Sequence, residues 1–147
     1  MNECLSQAAR HPAAAVAPPR WIDWRGSGCI LVIEDDDAIR AVVTRTVSKL
    51  GFTSNQASDG PKAIAQFAAD PGLYALVLLD FMLPGMDGRQ ILARLQQLRP
   101  DIRVILMSGL SRQEATSHLD GQSLAGFLQK PFSLEALATE LRAAIEA

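Results

Sequence analysis

The sequence lacks several features that would mark a secreted or membrane protein. Its two cysteines, Cys4 and Cys29, do not have the spacing of a disulfide framework. Cys29 opens an apolar run, where a buried thiol is expected, and this fits a reducing compartment. No apolar stretch is long enough to span a bilayer, and the N-terminus lacks the basic-then-apolar order of a signal peptide. We therefore expect a cytoplasmic protein without membrane insertion.

Charge of one sign is not in excess either. The chain carries 14 basic and 16 acidic residues, for a formal net charge of -2. This balance gives no general attraction to the phosphates of nucleic acid, so we expect no direct nucleic-acid binding. What the sequence does contain is 48% hydrophobic residues in 147 positions, which is typical of one globular domain with a tail.

The first 28 residues differ from the rest of the chain. Residues 12–19 are rich in proline and alanine, and residues 26–28 read Gly-Ser-Gly, which is typical of a flexible joint. We predict that residues 1–28 form a flexible N-terminal tail or linker and that residues 29–147 form the domain. Trp21 and Trp24 leave a second interpretation open, because exposed indoles are costly: these rings could pack on the domain or on a partner.

From Cys29 onward, short apolar segments alternate with amphipathic ones. The predicted strands cover residues 29–33, 52–57, 75–80, 102–107 and 124–128. The predicted helices cover residues 36–50, a segment restarting at 58–61, residues 87–98 and 111–119, and the segment after Ser133. Such alternation indicates an α/β fold with parallel strands, right-handed crossovers and helices on both faces. We predict a doubly wound five-stranded parallel sheet of order 2-1-3-4-5 with five helices.

Polar residues follow the carboxyl ends of these strands. Glu34 and Asp35 follow the first strand, Asp80 ends the third, Ser108 follows the fourth and Lys130 follows the fifth. In the order 2-1-3-4-5, the first and third strands are neighbours at the switch point, where ligands bind. Three carboxylates placed there repel one another unless a cation lies among them. Hard oxygen ligands in a partly open site favour Mg²⁺.

This set of groups predicts phosphoryl transfer onto a carboxylate. Asp80 would be the nucleophile, while Mg²⁺ and Lys130 would balance the charge on the phosphoryl oxygens and Ser108 would donate a hydrogen bond. A second hypothesis is a Mg²⁺-dependent phosphohydrolase on the same sheet. Such enzymes usually place a second acid two residues after the nucleophile, and this sequence has Met82 there, which argues against the alternative.

Four segments at the predicted strand ends resemble the signature segments of response-regulator receiver domains. They are residues 30–40 (ILVIEDDDAIR), 78–88 (LLDFMLPGMDG), 104–109 (VILMSG) and 127–132 (FLQKPF). The resemblance covers about residues 29–147. It implies a flavodoxin-like fold and a role as phosphoacceptor in two-component signalling.

The resemblance also assigns roles around the acid cluster. Asp80 would take a phosphoryl group from the phosphohistidine of a histidine kinase or phosphotransfer protein. Asp35 and Asp80, with the backbone carbonyl of Met82, would bind Mg²⁺, and Glu34 would act mainly through a water. Lys130 would contact the phosphoryl group.

A switch pair is implied as well. The Ser108 hydroxyl would move toward the phosphoryl group, and the ring of Phe127 would rotate into the space behind it. Simple core packing is the other interpretation of Phe127. Glu34, Ser108 and Phe127 stand where many family members carry Asp, Thr and Tyr. The signal would be reported on the face built by the fourth helix, the fifth strand and the fifth helix, where a downstream protein would bind.

Three further expectations concern the wider context. Because the chain ends just after the last predicted helix, we expect no output domain, in either a free-standing receiver or the receiver of a hybrid sensor kinase. Both a monomer and a homodimer are compatible with the sequence. A receiver-like interaction module that is never phosphorylated is disfavoured, because the acid set is intact.

Overall fold

The computed structural model describes residues 24–119 and 123–147. In this part of the chain, one parallel sheet of order β2-β1-β3-β4-β5 carries helices on both faces, which confirms the predicted fold. The strands are β1 (Cys29–Ile33), β2 (Thr53–Ala57), β3 (Tyr74–Asp80), β4 (Val104–Ser108) and β5 (Gly126–Gln129). The helices are α1 (Asp37–Lys49), α2 (Gly60–Ala69), α3 (Gly88–Leu98), α4 (Arg112–Thr116) and α5 (Leu134–Glu146).

Two hydrophobic layers enclose the sheet, because successive side chains of a strand point to opposite faces. One layer packs β1, β3 and β4 against α2, α3 and α4, and it includes Leu31, Val77, Leu106, Phe67 and Ile91. The other packs the same strands against α1 and α5, and it includes Ile30, Leu78, Ile105, Val47 and Leu141. Each such buried aliphatic side chain contributes about 2 kcal/mol. The central strands are therefore held rigidly, and their carboxyl ends form a fixed platform.

Local signals set the ends of the helices. Asp36, Asp59, Asp87 and Ser133 each accept hydrogen bonds from backbone N–H groups in the first turn of the helix that follows. Gly51 follows α1 with a φ of 101°, a left-handed conformation that glycine adopts without strain. The aspartates and the serine therefore start each of these helices close to its predicted position.

Three predicted boundaries are wrong by a few residues. β4 begins at Val104 rather than at residue 102, because the N–H of Ile102 bonds to the Arg99 carbonyl in a turn. α4 spans only residues 112–116, because the N–H groups of His118 and Leu119 bond to carbonyls three residues earlier, which tightens the chain into a turn. β5 begins at Gly126 rather than at residue 124.

The last residues of the predicted tail contact the domain. The ring of Trp24 packs against Phe52, with centroids 5.8 Å apart, and its Nε1–H donates to Glu146 Oε2 over 3.2 Å. The predicted joint at residues 26–28 is held too, since the N–H of Gly26 bonds to the Leu50 carbonyl. For Trp24 this fits the interpretation in which the ring packs on the domain. Trp21 and Cys4 lie outside the described residues, so the division at residue 28 stays a prediction.

No helix in the described ranges combines the length and the apolar character needed to cross a membrane.

Candidate functional site

The register of the sheet brings the predicted polar residues to one edge. Ile33 pairs with Leu79, so the next residues along these two strands, Glu34 and Asp80, lie side by side. Across β3 and β4, Asp80 pairs with Met107, so Ser108 lies one residue further along. Across β4 and β5, Ser108 pairs with Gln129, and Lys130 follows. The carboxyl ends of β1, β3, β4 and β5 therefore form one site.

Three carboxylates converge at this edge as the sequence predicted. One oxygen each of Glu34, Asp35 and Asp80 lies within 4.8 Å of the other two. Glu34 and Asp80 are buried, whereas Asp35 is exposed. The cluster thus combines two desolvated acids with one that faces water.

Lys130 lies against the two buried acids. Its Nζ is 2.7 Å from Glu34 Oε1 and 3.3 Å from Asp80 Oδ2. Partial burial disfavours the charged ammonium, but the contacts with both acids outweigh burial, so the pKa of Lys130 is raised. The residue also bonds through its backbone, since its N–H donates to the Ser108 carbonyl over 2.6 Å. Lys130 therefore stays protonated and links the acid cluster to β4.

Glu34 is the acid with the deepest burial in the site. Burial raises its pKa from 4.5 to about 7, because a carboxylate removed from water loses its hydration. The bond from Lys130 opposes this rise, and so does the N–H of Asp36, which donates to Glu34 Oε2 over 3.1 Å. Without a further cation, Glu34 is thus divided between its neutral and charged forms near neutral pH.

Asp80 is held by the turn that follows β3. Its Oδ1 accepts the N–H of Met82 over 3.1 Å, which fixes the carboxylate against the backbone of the next loop. Met82 itself is 62% exposed, so the loop after β3 is open to solvent at this residue. The carboxylate of Asp80 is therefore buried but lies next to an open loop.

The two predicted switch residues lie on neighbouring strands but at different levels. Ser108 is fully buried, and its Oγ accepts the N–H of Leu110 over 2.9 Å. Phe127 pairs with Leu106, two residues before Ser108, and its ring is buried in the layer beneath α4. Ser108 thus lies at the edge of the sheet that carries the acid cluster, and Phe127 lies further inside the sheet.

Sequence reasoning missed three residues that support this arrangement. Arg40 donates through its Nη1 to the Glu34 carbonyl over 2.7 Å. The guanidinium of Arg112 lies over the Phe127 ring, 5.8 Å from its centroid. Glu140 Oε1 accepts the N–H of Phe127 over 3.1 Å. None of these contacts follows from the period of a helix or a strand, so they leave no periodic signal in the sequence.

The donor set of the site fits Mg²⁺. Carboxylate oxygens are the hard ligands that this ion prefers, and the exposure of Asp35 leaves room for the waters that it retains. When all three carboxylates are ionised, two negative charges of the cluster remain after Lys130 is counted, which matches one divalent cation.

Comparison with known proteins agrees with this geometry. A model of the response regulator receiver domain family matches residues 30–142. The chain is 35% identical over 124 residues to the sensor kinase CckA of Brucella abortus, covering 84% of this chain and 13% of that protein. It is 35% identical over 144 residues to the transcriptional regulatory protein TcrA of Mycobacterium tuberculosis, covering 97% of this chain and 53% of that protein.

The fold has a close counterpart among solved structures. A response regulator receiver domain protein from Clostridium thermocellum superimposes with a TM-score of 0.75 at 22% identity, covering 81% of this chain and 94% of that one.

Fold and site together define a receiver domain of two-component signalling. The chain belongs to the response regulator receiver domain family, whose members are signalling domains that bind Mg²⁺ at an acidic site and interact with histidine kinases or phosphotransfer partners. It spans 13% of the length of the first relative and about half of the second.

Proposed function

We propose that Asp80 accepts a phosphoryl group from the phosphohistidine of a histidine kinase or phosphotransfer protein. The observation that carries this proposal is the surroundings of its carboxylate. Asp80 ends the central strand, lies beside Glu34 and Asp35, and has the Lys130 ammonium 3.3 Å from Oδ2. Asp80 is buried at the end of β3 and bonds to the N–H of Met82, whose side chain is exposed.

The transfer can be written as a balanced step. A carboxylate oxygen of Asp80 forms the new O–P bond while the P–N bond of the donor breaks, and the released imidazole nitrogen keeps the electron pair and takes a proton from solvent. Lys130 compensates the charge on the incoming group. Asp35, Asp80 and the Met82 carbonyl would hold Mg²⁺, with Glu34 acting through a water. The bound ion would supply further positive charge to the phosphoryl oxygens.

The output would be a change of surface rather than a further reaction. The Ser108 hydroxyl would turn toward the phosphoryl group, and Phe127 would follow into the space behind it. The face built by α4, β5 and α5 would then present a changed surface to a downstream protein, without direct contact with nucleic acid or insertion into a membrane. Both a monomer and a homodimer are compatible with this output.

Phosphorylation of Asp80 is tested with a small-molecule phosphodonor and Mg²⁺, followed by intact mass measurement. The wild-type chain should gain one phosphoryl group, and Asp80→Asn should gain none. Asp101→Asn is the matched control, because Asp101 is exposed and its side chain pairs with Arg99, away from the acid cluster. In the same assay, Asp35→Ala should abolish the Mg²⁺-dependent part of the labelling.

Labelling of Asp80→Asn to the wild-type level would refute the assignment of the acceptor. Normal Mg²⁺ dependence in Asp35→Ala would leave the acceptor in place but would refute the proposed ligand set. Turnover of a generic phosphomonoester by the wild-type chain would instead favour the phosphohydrolase.

A further inference from the structure

The edge strand β5 is held from its outer side by a carboxylate of α5. The N–H of Lys130 points toward β4, where it bonds to the Ser108 carbonyl. Along a strand these groups alternate in direction, so the N–H of Phe127, three residues earlier, points away from β4. Glu140 Oε1 accepts it over 3.1 Å. The outer edge of β5 is thus bonded at the residue predicted to switch.

Gly126 makes this approach of Glu140 possible. A Cβ atom at position 126 would lie 2.5 Å from Glu140 Oε1, closer than any stable contact allows. The neighbouring strand leaves little room on the other side, with Ile105 Cγ1 at 3.3 Å from the same point. A glycine at position 126 is therefore explained locally, because the Glu140 carboxylate occupies the space that a side chain would need.

The ring of Phe127 is contacted from a second helix as well. The guanidinium of Arg112, in the first turn of α4, lies 5.8 Å from the ring centroid and is attracted to the face of the ring. The backbone of Phe127 is thus tied to α5 and its ring to α4. A hydrogen bond to a carboxylate is generally stronger than a cation–π contact at a partly exposed site, so we take the contact from α5 as the stronger constraint.

We propose that Glu140 is a positioning residue that fixes the backbone of Phe127 and thereby the position from which its ring rotates. The inference rests on the proposed switch for its functional meaning, but the hydrogen bond itself is independent of phosphorylation. When the bond is absent, β5 should loosen at its outer edge and the ring should occupy more than one position. In the wild type, the bond from Glu140 would therefore determine how strongly the α4-β5-α5 face resists change before phosphorylation.

The test measures amide hydrogen exchange of Phe127 by NMR in the unphosphorylated chain, together with the signals of its ring. Glu140→Met removes the acceptor at similar side-chain size and should speed exchange of the Phe127 amide about tenfold. Glu140→Gln keeps an acceptor oxygen and should restore most of the protection. Glu135→Met is the matched control, because Glu135 is an exposed glutamate on the same helix.

A second variant approaches the same bond from the strand. Gly126→Ala should displace the Glu140 carboxylate and speed the same amide, and adding Glu140→Met to it should have no further effect, because both changes break one bond. Unchanged exchange in Glu140→Met, or equal acceleration in Glu135→Met, would overturn the proposal. If exchange responds as expected while Asp80 takes no phosphoryl group, the positioning role stands and the proposed function fails.

Discussion

Replacing Lys130 by methionine tests the charge balance of the site. Lys130 is the cation that contacts both buried acids, and methionine keeps the length of the side chain while removing the ammonium. Because Glu34 and Asp80 are almost fully removed from water, their charges cannot be compensated by hydration. The variant should therefore unfold more easily than the wild type when Mg²⁺ is absent.

The size of the effect should depend on pH. Well above pH 7, Glu34 is ionised in the wild type, so folded Lys130→Met must either hold two buried carboxylates without a cation or bind a proton at Glu34, which should cost about 3 kcal/mol. Below pH 6, Glu34 is mostly protonated, since burial raises its pKa to about 7. The contact with Asp80 and a hydrogen bond to a neutral Glu34 are then lost, at a cost of about 1.5 kcal/mol. The free energy of unfolding should thus separate from the wild-type value as the pH rises.

The assay is urea unfolding of both chains in a chelator, at pH values on either side of 7. Lys62→Met is the matched control, because Lys62 is 67% exposed and lies 3.8 Å from Asp59 on the surface. It should change the free energy of unfolding by less than about 0.5 kcal/mol at every pH. A loss in Lys130→Met that is the same at both pH values, or no larger than that of Lys62→Met, would refute the reasoning.

Three further outcomes are expected. Limited proteolysis should leave a stable core that includes Trp24, and in Trp24→Ala the first residue of this core should move toward Cys29. Trimming of the wild type to residue 29 would show that the contacts of Trp24 with Phe52 and Glu146 are weak. Without Mg²⁺, the free energy of unfolding should fall as the pH rises from about 5 through 7, because Glu34 binds its proton more tightly in the folded chain than in the unfolded chain. Glu34→Gln should flatten this dependence on pH. Beryllofluoride should change hydrogen exchange mainly between residues 108 and 132; changes confined to the loops after β1 and β3 would refute the switch.

The fold and the acid cluster could be predicted because their signals are local. Apolar runs that end in Glu34 or Asp80 mark buried strands, and the alternation with amphipathic helices fixes parallel pairing. Parallel pairing then brings the strand ends together without knowledge of any side-chain contact. The caps at Asp87 and Ser133 are local for the same reason, since each involves residues at most three positions apart.

The contacts that the sequence did not reveal join residues far apart in the chain. Trp24 meets Glu146 across 122 positions, and Glu140 meets Phe127 across 13. Neither contact follows from a period of 2.0 or 3.6 residues, because each depends on where two elements end in space. The predicted length of α4 was wrong for another reason. The capping box at Ser111 and Glu114 marks where the helix begins, but no comparable signal marks where it ends.

The same residue that balances the charge of the site also connects it to the edge of the sheet. When Glu34 is ionised, three carboxylates and one ammonium leave two negative charges at the carboxyl ends of β1, β3 and β5. Phosphorylation of Asp80 would replace one of the carboxylate charges by about two. Lys130 must then shift its Nζ toward the new group. Its backbone N–H is bonded to Ser108, so this movement acts on the junction of β4 and β5. Three residues earlier in the chain, the bond from Phe127 to Glu140 holds the opposite side of β5, so the response of the ring should depend on the balance between these two attachments.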